Sequence, residues 1–376
     1  MTSHEQYMLR CLELAGKGMG NVLPNPMVGA VIVHDGRIIG EGYHRQYGEA
    51  HAEVNAINDV ETRRATSLLK ESTLYVNLEP CSHFGKTPPC ASLIIEKQIP
   101  RVFIGNIDPY PKVSGSGIQM LKENGVDVTT GVLEKECAGL NRRFFTFHRE
   151  KRPYIILKWA QTADGFMDKI REASEAPAQI STAQTKMAVH QLRTQESAIM
   201  VGTNTALLDN PHLTVRHWRG RNPLRIAIDR SLKIPENFHL FDGQAPTLIF
   251  TALPSPSESW DVGVEGETNI NEKQIRNEQK LTPPPSGGLG GAYIRIDFSQ
   301  NIIPQMLDEL YKRRILSLIV EGGSQLLQSF IDSGLYDEMQ VEVSPITFGE
   351  GVKAPAINDE LKITHKNNSS FVIFNS

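Results

Sequence analysis

The stretches HAEV at residues 51–54 and EPCSHFGKTPPC at residues 79–90 decide the fold and the chemistry of the first half of this chain. The candidate metal ligands in them are the imidazole of His51 and the thiols of Cys81 and Cys90. Three protein ligands with one position open to water are the arrangement of a catalytic zinc ion, which lowers the pKa of the bound water. A carboxylate beside the metal but not bound to it suits proton transfer, and Glu53 is predicted to have that role. The pattern predicts a zinc-dependent hydrolytic deaminase.

Two other interpretations of these residues stay open. Buried Cys and His are common in protein cores, and a zinc ion can be structural. A structural site normally has four protein ligands and no use for a spare acid such as Glu53. The chain has 4 cysteines, too few for a disulfide scaffold, and in a reducing compartment a close pair is typical of metal binding or catalysis.

Length and composition exclude several classes of protein. A chain of 376 residues is long enough for two domains of roughly 150 to 200 residues each. The 39 Lys and Arg residues oppose 43 Asp and Glu residues, and a net charge of -4 gives no broad cationic surface for nucleic acid. No stretch is apolar for long enough to cross a bilayer, and the first 20 residues lack the pattern of a signal peptide. We therefore expect no nucleic-acid partner, no membrane association and a cytoplasmic location.

The first half shows alternating helices and strands. Apolar spacing predicts a helix over 5–15, and two apolar runs around Asp35-Gly36 predict a hairpin over 28–43. A helix from 51, a strand over 73–78, a helix over 90–97, a strand over 101–106, a helix over 115–124 and a strand near 127 follow. This order predicts an α/β sandwich. The stretch 133–147 looks helical but ends in the basic, aromatic segment NRRFFTFHREKRP at 141–153, which is interpreted as the joint between domains. The boundary is expected near 148–152, giving a deaminase domain over 1–149 and a second domain over 150–376.

The second half predicts another α/β domain. Strands are expected over 154–160, 197–202, 224–229, 246–251, 292–297, 315–320 and 337–344, with helices over 182–194, 302–313 and 324–333. Segment 253–291 is polar and rich in helix breakers, and is interpreted as a mobile surface insertion. EGGS at 321–324 joins a strand to a helix, whose N-terminal N–H groups suit the phosphates of a dinucleotide. The sequence holds no Gly-x-Gly-x-x-Gly, so a Rossmann dehydrogenase is not supported.

The motifs of the first half resemble a known family. HAE with PCSHFGKTPPC, and PNPMVG at 24–29, are similar to the deaminase half of the bifunctional deaminase-reductases of riboflavin biosynthesis. Eight residues, SHFGKTPP, separate Cys81 from Cys90, whereas two residues separate the corresponding cysteines of cytidine-type and tRNA-adenosine deaminases. The resemblance implies a cytidine-deaminase-like α/β/α sandwich and a phosphorylated pyrimidine substrate. It implies substrate contacts at Asn25, His83 and Lys86, although PNP is on its chemistry alone equally well a turn.

The resemblance continues through the second half, apart from the polar insertion and the extreme C-terminus. The matching segments are LKWAQTADG (157–165), HQLR (190–193), VGTNTALLDNPHLTVR (201–216), PLRIAID (223–229) and IVEGGSQLLQSF (319–330). It implies a dihydrofolate-reductase-like α/β domain that uses NADPH to reduce a ribosyl side chain to ribityl. Implied cofactor contacts are Gln161, Gln179, Thr205, Asp209, Gly323, Ser324, Gln325, Leu326, Leu327 and Gln328. Implied substrate contacts are Lys158, Arg193, Leu213, Arg216 and Glu321.

Two points about these residues follow from chemistry. A guanidinium can donate two parallel hydrogen bonds to a phosphate, so Arg193 and Arg216 suit a phosphate clamp, although each is equally well a solvated surface charge. Where the family usually has Trp before an Ile-Thr or Ile-Ser pair, this chain has Gln179. No aromatic stacking surface is expected there.

The motifs together predict a bifunctional enzyme. It would deaminate diaminohydroxyphosphoribosylaminopyrimidine by zinc-hydroxide chemistry and then reduce the ribosyl group with NADPH; the resemblance also implies a homodimer or higher homo-oligomer. One rival is a nucleoside or tRNA deaminase with an appended non-catalytic domain, against which the spacing of Cys81 and Cys90 argues. Another is a zinc-stabilised binding protein, against which the presence of Glu53 argues.

Overall fold

The computed structural model describes residues 1–83, 88–111, 113–254 and 292–357, together with the backbone of 363–365 and 371–375. By its internal contacts the chain divides into Met1–Tyr154 and Ile155–Ser376. The boundary predicted near 148–152 lies a few residues before this division. Nearly all of the segment interpreted as a mobile insertion, 253–291, lies outside the described residues. Among the helices of the described residues, none is both long enough and apolar enough to span a bilayer.

The first unit is built on a five-stranded sheet. In the order of the chain its strands are β1 (Gly29–His34), β2 (Arg37–Tyr43), β3 (Thr73–Leu78), β4 (Arg101–Asn106) and β5 (Asp127–Thr130). In space the order is β2-β1-β3-β4-β5, with β2, β1 and β3 antiparallel and β3, β4 and β5 parallel. Asp35 and Gly36 form the predicted hairpin turn, with positive φ angles of 46° and 72°.

Helices cover both faces of this sheet. They are α1 (Ser3–Gly16), α2 (Ala52–Thr62), α3 (Cys90–Glu96), α4 (Ser116–Glu123), α5 (Glu134–Leu140) and α6 (Arg142–Glu150). Successive side chains of a strand point to opposite faces, and β1 shows the result: Ala30 and Ile32 are buried in one apolar cluster, whereas Val31 and Val33 are buried in another. The predicted α/β/α sandwich is confirmed. The segment interpreted as a joint contains α6.

The second unit has a nine-stranded, mostly parallel sheet. Its order is β11-β10-β9-β8-β12-β6-β13-β16-β15. The strands are β6 (Tyr154–Thr162), β8 (Ala198–Val201), β9 (Leu224–Ile228), β10 (Thr247–Thr251), β11 (Ala292–Arg295), β12 (Ser317–Gly322), β13 (Glu338–Ser344), β15 (Ile363–His365) and β16 (Phe371–Asn375). A separate pair joins β7 (Phe166–Asp168) to β14 (Val352–Lys353).

In the described part of the second unit, four helices follow strands in the chain. They are α7 (Ala183–Gln195), α8 (Thr203–Asp209), α9 (Ile302–Lys312) and α10 (Ser324–Ser333). Five neighbouring strands of the sheet are parallel to one another: β11, β10, β9, β8 and β12. Their carboxyl ends therefore lie along one edge. In open α/β sheets ligands bind at this edge. The turn after β12, the start of α8 and the residues after β9, β10 and β11 all lie on it.

Candidate active sites

The three predicted metal ligands lie together in the first unit. His51 is the N-cap residue of α2, Cys81 follows the end of β3, and Cys90 is the first residue of α3. The Nδ1 atom of His51 lies 3.6 Å from Sγ of Cys81 and 3.4 Å from Sγ of Cys90. Zn–S bonds of about 2.3 Å and Zn–N bonds of about 2.1 Å at a tetrahedral angle put nitrogen and sulfur about 3.6 Å apart. The donor set therefore fits a zinc ion.

The charges of the cluster also fit a dication. Hydrogen bonding with Cys81 raises the pKa of His51 to about 8, and hydrogen bonding with Cys90 lowers the pKa of Cys81 to about 4. The hydrogen bond with Cys81 and, to a smaller extent, burial raise the pKa of Cys90. One thiolate thus opposes formation of the other. A bound cation removes that opposition, because a coordinating thiol is deprotonated.

Glu53 lies in the first turn of α2, two residues after His51, and is 3% exposed. Burial raises its pKa to about 7. The cluster of possible ligand atoms contains His51, Cys81 and Cys90 but not Glu53. A buried carboxyl group beside a metal set, with a pKa near neutrality, can both accept and return a proton.

A hydrogen-bonded relay fixes the orientation of Asn25. His44 is 2% exposed, and its Nδ1 atom lies 3.1 Å from the carbonyl oxygen of Ala50. Because a carbonyl only accepts, Nδ1 carries the proton and Nε2 is an acceptor. Asn25 therefore donates through Nδ2 to Nε2 of His44 at 3.2 Å. This leaves the amide oxygen of Asn25 as an acceptor for another group, while the His44 ring lies edge-on to His51 at 5.4 Å.

Glu79 holds the loop after β4 against the two-cysteine segment. Its carboxylate, 4% exposed, accepts hydrogen bonds from the backbone N–H groups of Asp108 (3.1 Å), Gly115 (2.9 Å), Gly117 (2.9 Å) and Ile118 (3.3 Å). An added Cβ at Gly117 would lie 2.0 Å from the carbonyl oxygen of Pro80. The start of α4 therefore packs directly on the residue that precedes Cys81.

In the second unit a buried polar cluster surrounds Arg193. Its Nη2 donates to Oε2 of Glu321 at 2.7 Å and its Nη1 to the carbonyl oxygen of Thr214 at 3.0 Å. Burial acts to raise the pKa of Glu321, but the charges of Arg193 and Lys158 outweigh it and the pKa is lowered. Among the described residues, Arg193 Nε, Glu321 Oε1 and Thr214 Oγ1 are buried without a hydrogen-bond partner. Three unsatisfied groups at one place indicate a site for a polar ligand.

The starts of α8 and α10 meet at the carboxyl edge of the sheet. The N–H of Gly202, which precedes α8, donates to the carbonyl oxygen of Gly322 at 2.9 Å. An added Cβ at Gly323 would lie 3.1 Å from Oγ1 of Thr205. Gly323 is the N-cap residue of α10 and offers no side-chain cap. The first N–H groups of α10 therefore suit the phosphates of a dinucleotide.

Two arginines extend this edge toward β11. Arg230 follows β9, and Arg295 ends β11. With Phe298, Ser299 and Gln305 they line an open cavity of about 480 Å³. Asp297 also lines it, but its carboxylate accepts hydrogen bonds from Ser299 and Gln300.

Both halves of the chain match family models. Residues 1–106 match the zinc-binding region of cytidine and deoxycytidylate deaminases, and residues 153–372 match the RibD C-terminal domain. The RibD riboflavin biosynthesis protein of Bacillus amyloliquefaciens is 40% identical over 355 residues, which cover 94% of this chain and 87% of the relative. The chain belongs to the RibD family. RibD of Aquifex aeolicus is 37% identical, over 96% of this chain and 94% of the relative.

Solved structures agree with this membership. A Thermotoga maritima diaminohydroxyphosphoribosylaminopyrimidine deaminase/5-amino-6-(5-phosphoribosylamino)uracil reductase is 35% identical, with a TM-score of 0.81 over 99% of this chain and 98% of that one. RibD of Acinetobacter baumannii is 27% identical, with a TM-score of 0.80 over the same shares. The predicted family, fold class and pairing of deaminase with reductase are confirmed. As a RibD family member, the chain is a bifunctional deaminase and reductase of riboflavin biosynthesis.

The structure places the other predicted RibD site residues in varied surroundings. His83 is exposed, and Lys86 lies outside the described residues. Leu213 is buried, with a positive φ of 54°, and Arg216 is exposed, while its backbone N–H donates to Nδ1 of His190. Their substrate contacts stay predictions.

Several predicted RibD cofactor residues already have partners in the chain. The Asp209 carboxylate accepts from Arg171, Gln161 accepts from Trp159, and Gln179 is exposed and donates to the carbonyl of Ser181. The side chains of Leu326 and Leu327 are buried in the core, so a cofactor contact there would come from the backbone. Ser324 and Gln328 are half-buried and Gln325 is exposed.

Sequence reasoning missed four residues of these sites. His44 ends the hairpin that carries the motif GYH, and its position seven residues before His51 was the available signal. Glu79 directly precedes Pro80-Cys81 and belongs to the quoted motif, but no role was predicted for its side chain. Arg230 directly follows a predicted strand, and Arg295 lies within one, and a basic residue at such a position indicates an anion site at the sheet edge.

Proposed function

We propose that this RibD family member deaminates diaminohydroxyphosphoribosylaminopyrimidine in its first unit. In its second unit it would reduce the ribosyl group of the deaminated product to ribityl with NADPH. The observation that carries the deaminase assignment is the donor set of His51, Cys81 and Cys90 at zinc-ligand separations, with the buried carboxyl group of Glu53 beside it. The reductase assignment is supported by the unsatisfied polar cluster around Arg193 and by the paired helix starts at Gly202 and Gly323.

In the deaminase site, His51, Cys81 and Cys90 would hold zinc. When bound there, zinc makes a water molecule a competent nucleophile near neutral pH. Glu53 would accept a proton from the attacking water and deliver it to the ring nitrogen. It would then take the proton of the hydroxyl group now on the ring carbon and deliver it to the departing amine, which leaves as ammonia. The amide oxygen of Asn25, oriented by His44, accepts a hydrogen bond from the edge of the pyrimidine. His83 and Lys86 are proposed to contact the phosphorylated side chain.

The test of the deaminase is Glu53→Gln in the full chain. We expect ammonia release to fall by about 10² to 10⁴-fold, because a positioned acid-base group contributes about that much. Zinc content should be unchanged, since Glu53 is not a ligand. Glu49→Gln is the matched control, because Glu49 is exposed four residues away. Parent-like ammonia release from a zinc-loaded Glu53→Gln protein would contradict the role.

In the reductase site, Arg193 and Glu321 are proposed to bind the substrate while Lys158 and Arg216 add positive charge. Arg193 keeps one unpartnered N–H, and Glu321 keeps one unpartnered oxygen. Burial lowers the pKa of Lys158, whereas the charge of Glu321 acts in the opposite direction. A phosphorylated polyol offers both donors and anionic acceptors to such a site. Positioning and fixed charges would carry this step.

For the cofactor, the carboxyl edge favours a phosphorylated dinucleotide. The pyrophosphate would lie on the first N–H groups of α10 beside Thr205. Arg230 follows β9, which lies two strands from β12 in the sheet. Strands are about 4.8 Å apart, so Arg230 lies roughly 10 Å farther along the edge. That is a suitable reach for the phosphate on the adenosine ribose of NADPH, and NADH lacks this phosphate. NADPH supplies hydride when bound.

The reductase test follows absorbance of NADPH, and separately of NADH, with the deaminated intermediate supplied. We expect oxidation of NADPH with a KM well below that for NADH. Failure to oxidise NADPH by folded protein would discard the reductase assignment, and equal KM values would discard the role of the arginines. The homo-oligomer, which rests on the resemblance, and the cytoplasmic location, which rests on the pattern of the sequence, remain proposals; sedimentation of the purified chain tests the first.

A further inference from the structure

A second group of possible metal ligands lies in the second unit. His212, His239 and Asp242 each offer one ligand atom, and these atoms all lie within 4.8 Å of one another. The Nδ1 atom of His212 is 3.8 Å from Oδ2 of Asp242, and the Nδ1 atom of His239 is 3.9 Å from the same oxygen. The two imidazole rings are stacked, with centroids 3.5 Å apart.

Two of these three ligand atoms are buried and unsatisfied. Among the described residues, His212 Nδ1 and Asp242 Oδ2 are buried atoms with no hydrogen-bond partner. The other oxygen of Asp242 accepts from Nη1 of Arg225 at 2.9 Å and from the N–H of Gln244 at 2.9 Å. Arg225 is fully buried and also donates to the carbonyl oxygens of His239 and Ala245. The carboxylate is therefore fixed with its unsatisfied oxygen directed toward the two imidazoles.

Burying unsatisfied polar atoms costs free energy unless a ligand completes them. We propose that His212, His239 and Asp242 bind a divalent transition cation, of which Zn²⁺ is the probe of choice. Two imidazoles and one carboxylate are a ligand set for such ions, with metal-ligand bonds of about 2.1 Å and ligand atoms about 3.0 to 3.4 Å apart.

The two nitrogen–oxygen separations, 3.8 and 3.9 Å, need to close by less than an ångström. Such a change requires the stacked rings to turn so that both Nδ1 atoms face the carboxylate oxygen. Their side chains are 27% exposed at His212 and 40% exposed at His239, so both have room to turn. Asp242 does not need to move, because Arg225 already fixes it.

The cation would join two segments of the second unit. His212 adjoins Leu213 in the segment that holds the proposed substrate contacts, and His239 and Asp242 lie in a separate turn before β10. The segments already share one hydrogen bond, from the N–H of His239 to Oδ1 of Asn210 at 2.8 Å. Bound Zn²⁺ would tighten this connection and so stabilise the second unit. This site is independent of the deaminase ligands.

The test counts zinc in the full chain after equilibrium dialysis against buffered low-micromolar free Zn²⁺. We expect two zinc ions per chain in the parent and one in each of His239→Ala, His212→Ala and Cys90→Ala. His217→Ala, an exposed histidine outside the cluster, is the matched control and should keep two. Zn²⁺ should also raise the Tm reported by tryptophan fluorescence in the parent and the control but not in His239→Ala.

One zinc ion per chain in the parent that persists in both His239→Ala and His212→Ala would overturn the proposal. So would two zinc ions in both His239→Ala and His212→Ala, since the second ion would then lie elsewhere. Circular dichroism of each variant, matched to the parent, ensures that a lost ion reports a lost ligand and not a lost fold.

Discussion

Replacing Glu79 by glutamine should destabilise the first unit without changing its side-chain volume. The two carboxylate oxygens accept two backbone N–H groups each, from Asp108 and Gly115 on one side and from Gly117 and Ile118 on the other. A glutamine amide keeps one acceptor oxygen and presents an NH₂ group to the other pair. Two N–H donors then face a donor in a site that is 4% exposed.

The size of the effect follows from those bonds. Each hydrogen bond to a charged group contributes about 1.5 to 3 kcal/mol, so loss of two costs about 3 to 6 kcal/mol. Removing a buried charge returns part of this through relief of desolvation, which places the expected loss near the lower end, at about 3 kcal/mol. With an m-value of about 2 kcal/mol/M, the urea midpoint should fall by about 1.5 M.

The chain offers a separate probe for each unit. All 4 cysteines precede residue 155 and all 3 tryptophans follow it, so pulsed thiol labelling reports unfolding of the first unit and tryptophan fluorescence that of the second. We expect Glu79→Gln to shift only the thiol-labelling midpoint. Glu71→Gln, at an exposed glutamate of the same unit, should change neither. A parent-like labelling midpoint would refute the reasoning, and so would an equal shift of both probes.

Three further predictions concern other residues. Arg230→Ser should raise the KM for NADPH about 10-fold or more, because it removes one charge-assisted contact. The KM for NADH should not change. Equal effects on the two KM values in steady-state assays would count against the phosphate contact. Burial lowers the pKa of His190 from 6.5 to about 4. Between those pH values the unfolded chain therefore binds the proton more readily than the folded chain. The free energy of unfolding of the second unit should fall as pH falls from 6.5 to 4. His190→Gln should flatten that slope in urea titrations followed by tryptophan fluorescence, and an unchanged slope would exclude His190 as its source. Gly117→Ala should lower the free energy of unfolding of the first unit by about 1 to 3 kcal/mol, because the new Cβ would lie 2.0 Å from the carbonyl oxygen of Pro80. Gly139→Ala is the control and should not destabilise the unit, since no atom lies within 4 Å of the added Cβ. Thiol labelling in urea measures both variants, and equal midpoints would contradict the close contact.

The sequence was sufficient for the sandwich and the zinc ligands for one physical reason. Strand β3 is buried on both faces, with its alternating residues in two different clusters, so it is visible locally as a short, mostly apolar run. His51, Cys81 and Cys90 lie at the ends of such elements. Their chemical types and spacing were informative before any distance was known.

The parts that were not predicted depend on long-range contacts or very short elements. Glu79 bonds to residues 29 to 39 positions away, and no local pattern specifies those partners. His212 and His239 meet because Arg225 binds the carbonyl oxygens of both and Asn210 binds the N–H of His239. Helix α8 has 7 residues and β14 has 2, too few to show a period. The helical stretch 133–147 covers most of α6, but its buried Phe144, Phe145 and Phe147 lie among basic residues, so its end was interpreted as a joint between domains.

The positions of His51 and Cys90 at the starts of two helices determine how the first unit should respond to chelators. In zinc fingers the ion organises an otherwise unfolded chain. Here the ligands are fixed by α2, α3 and β3, which pack into a core of buried aliphatic residues that does not involve the ion. Extraction of zinc should therefore abolish deamination while the helix content persists. Returning the metal should restore turnover as fast as the ion can diffuse in, with no refolding phase.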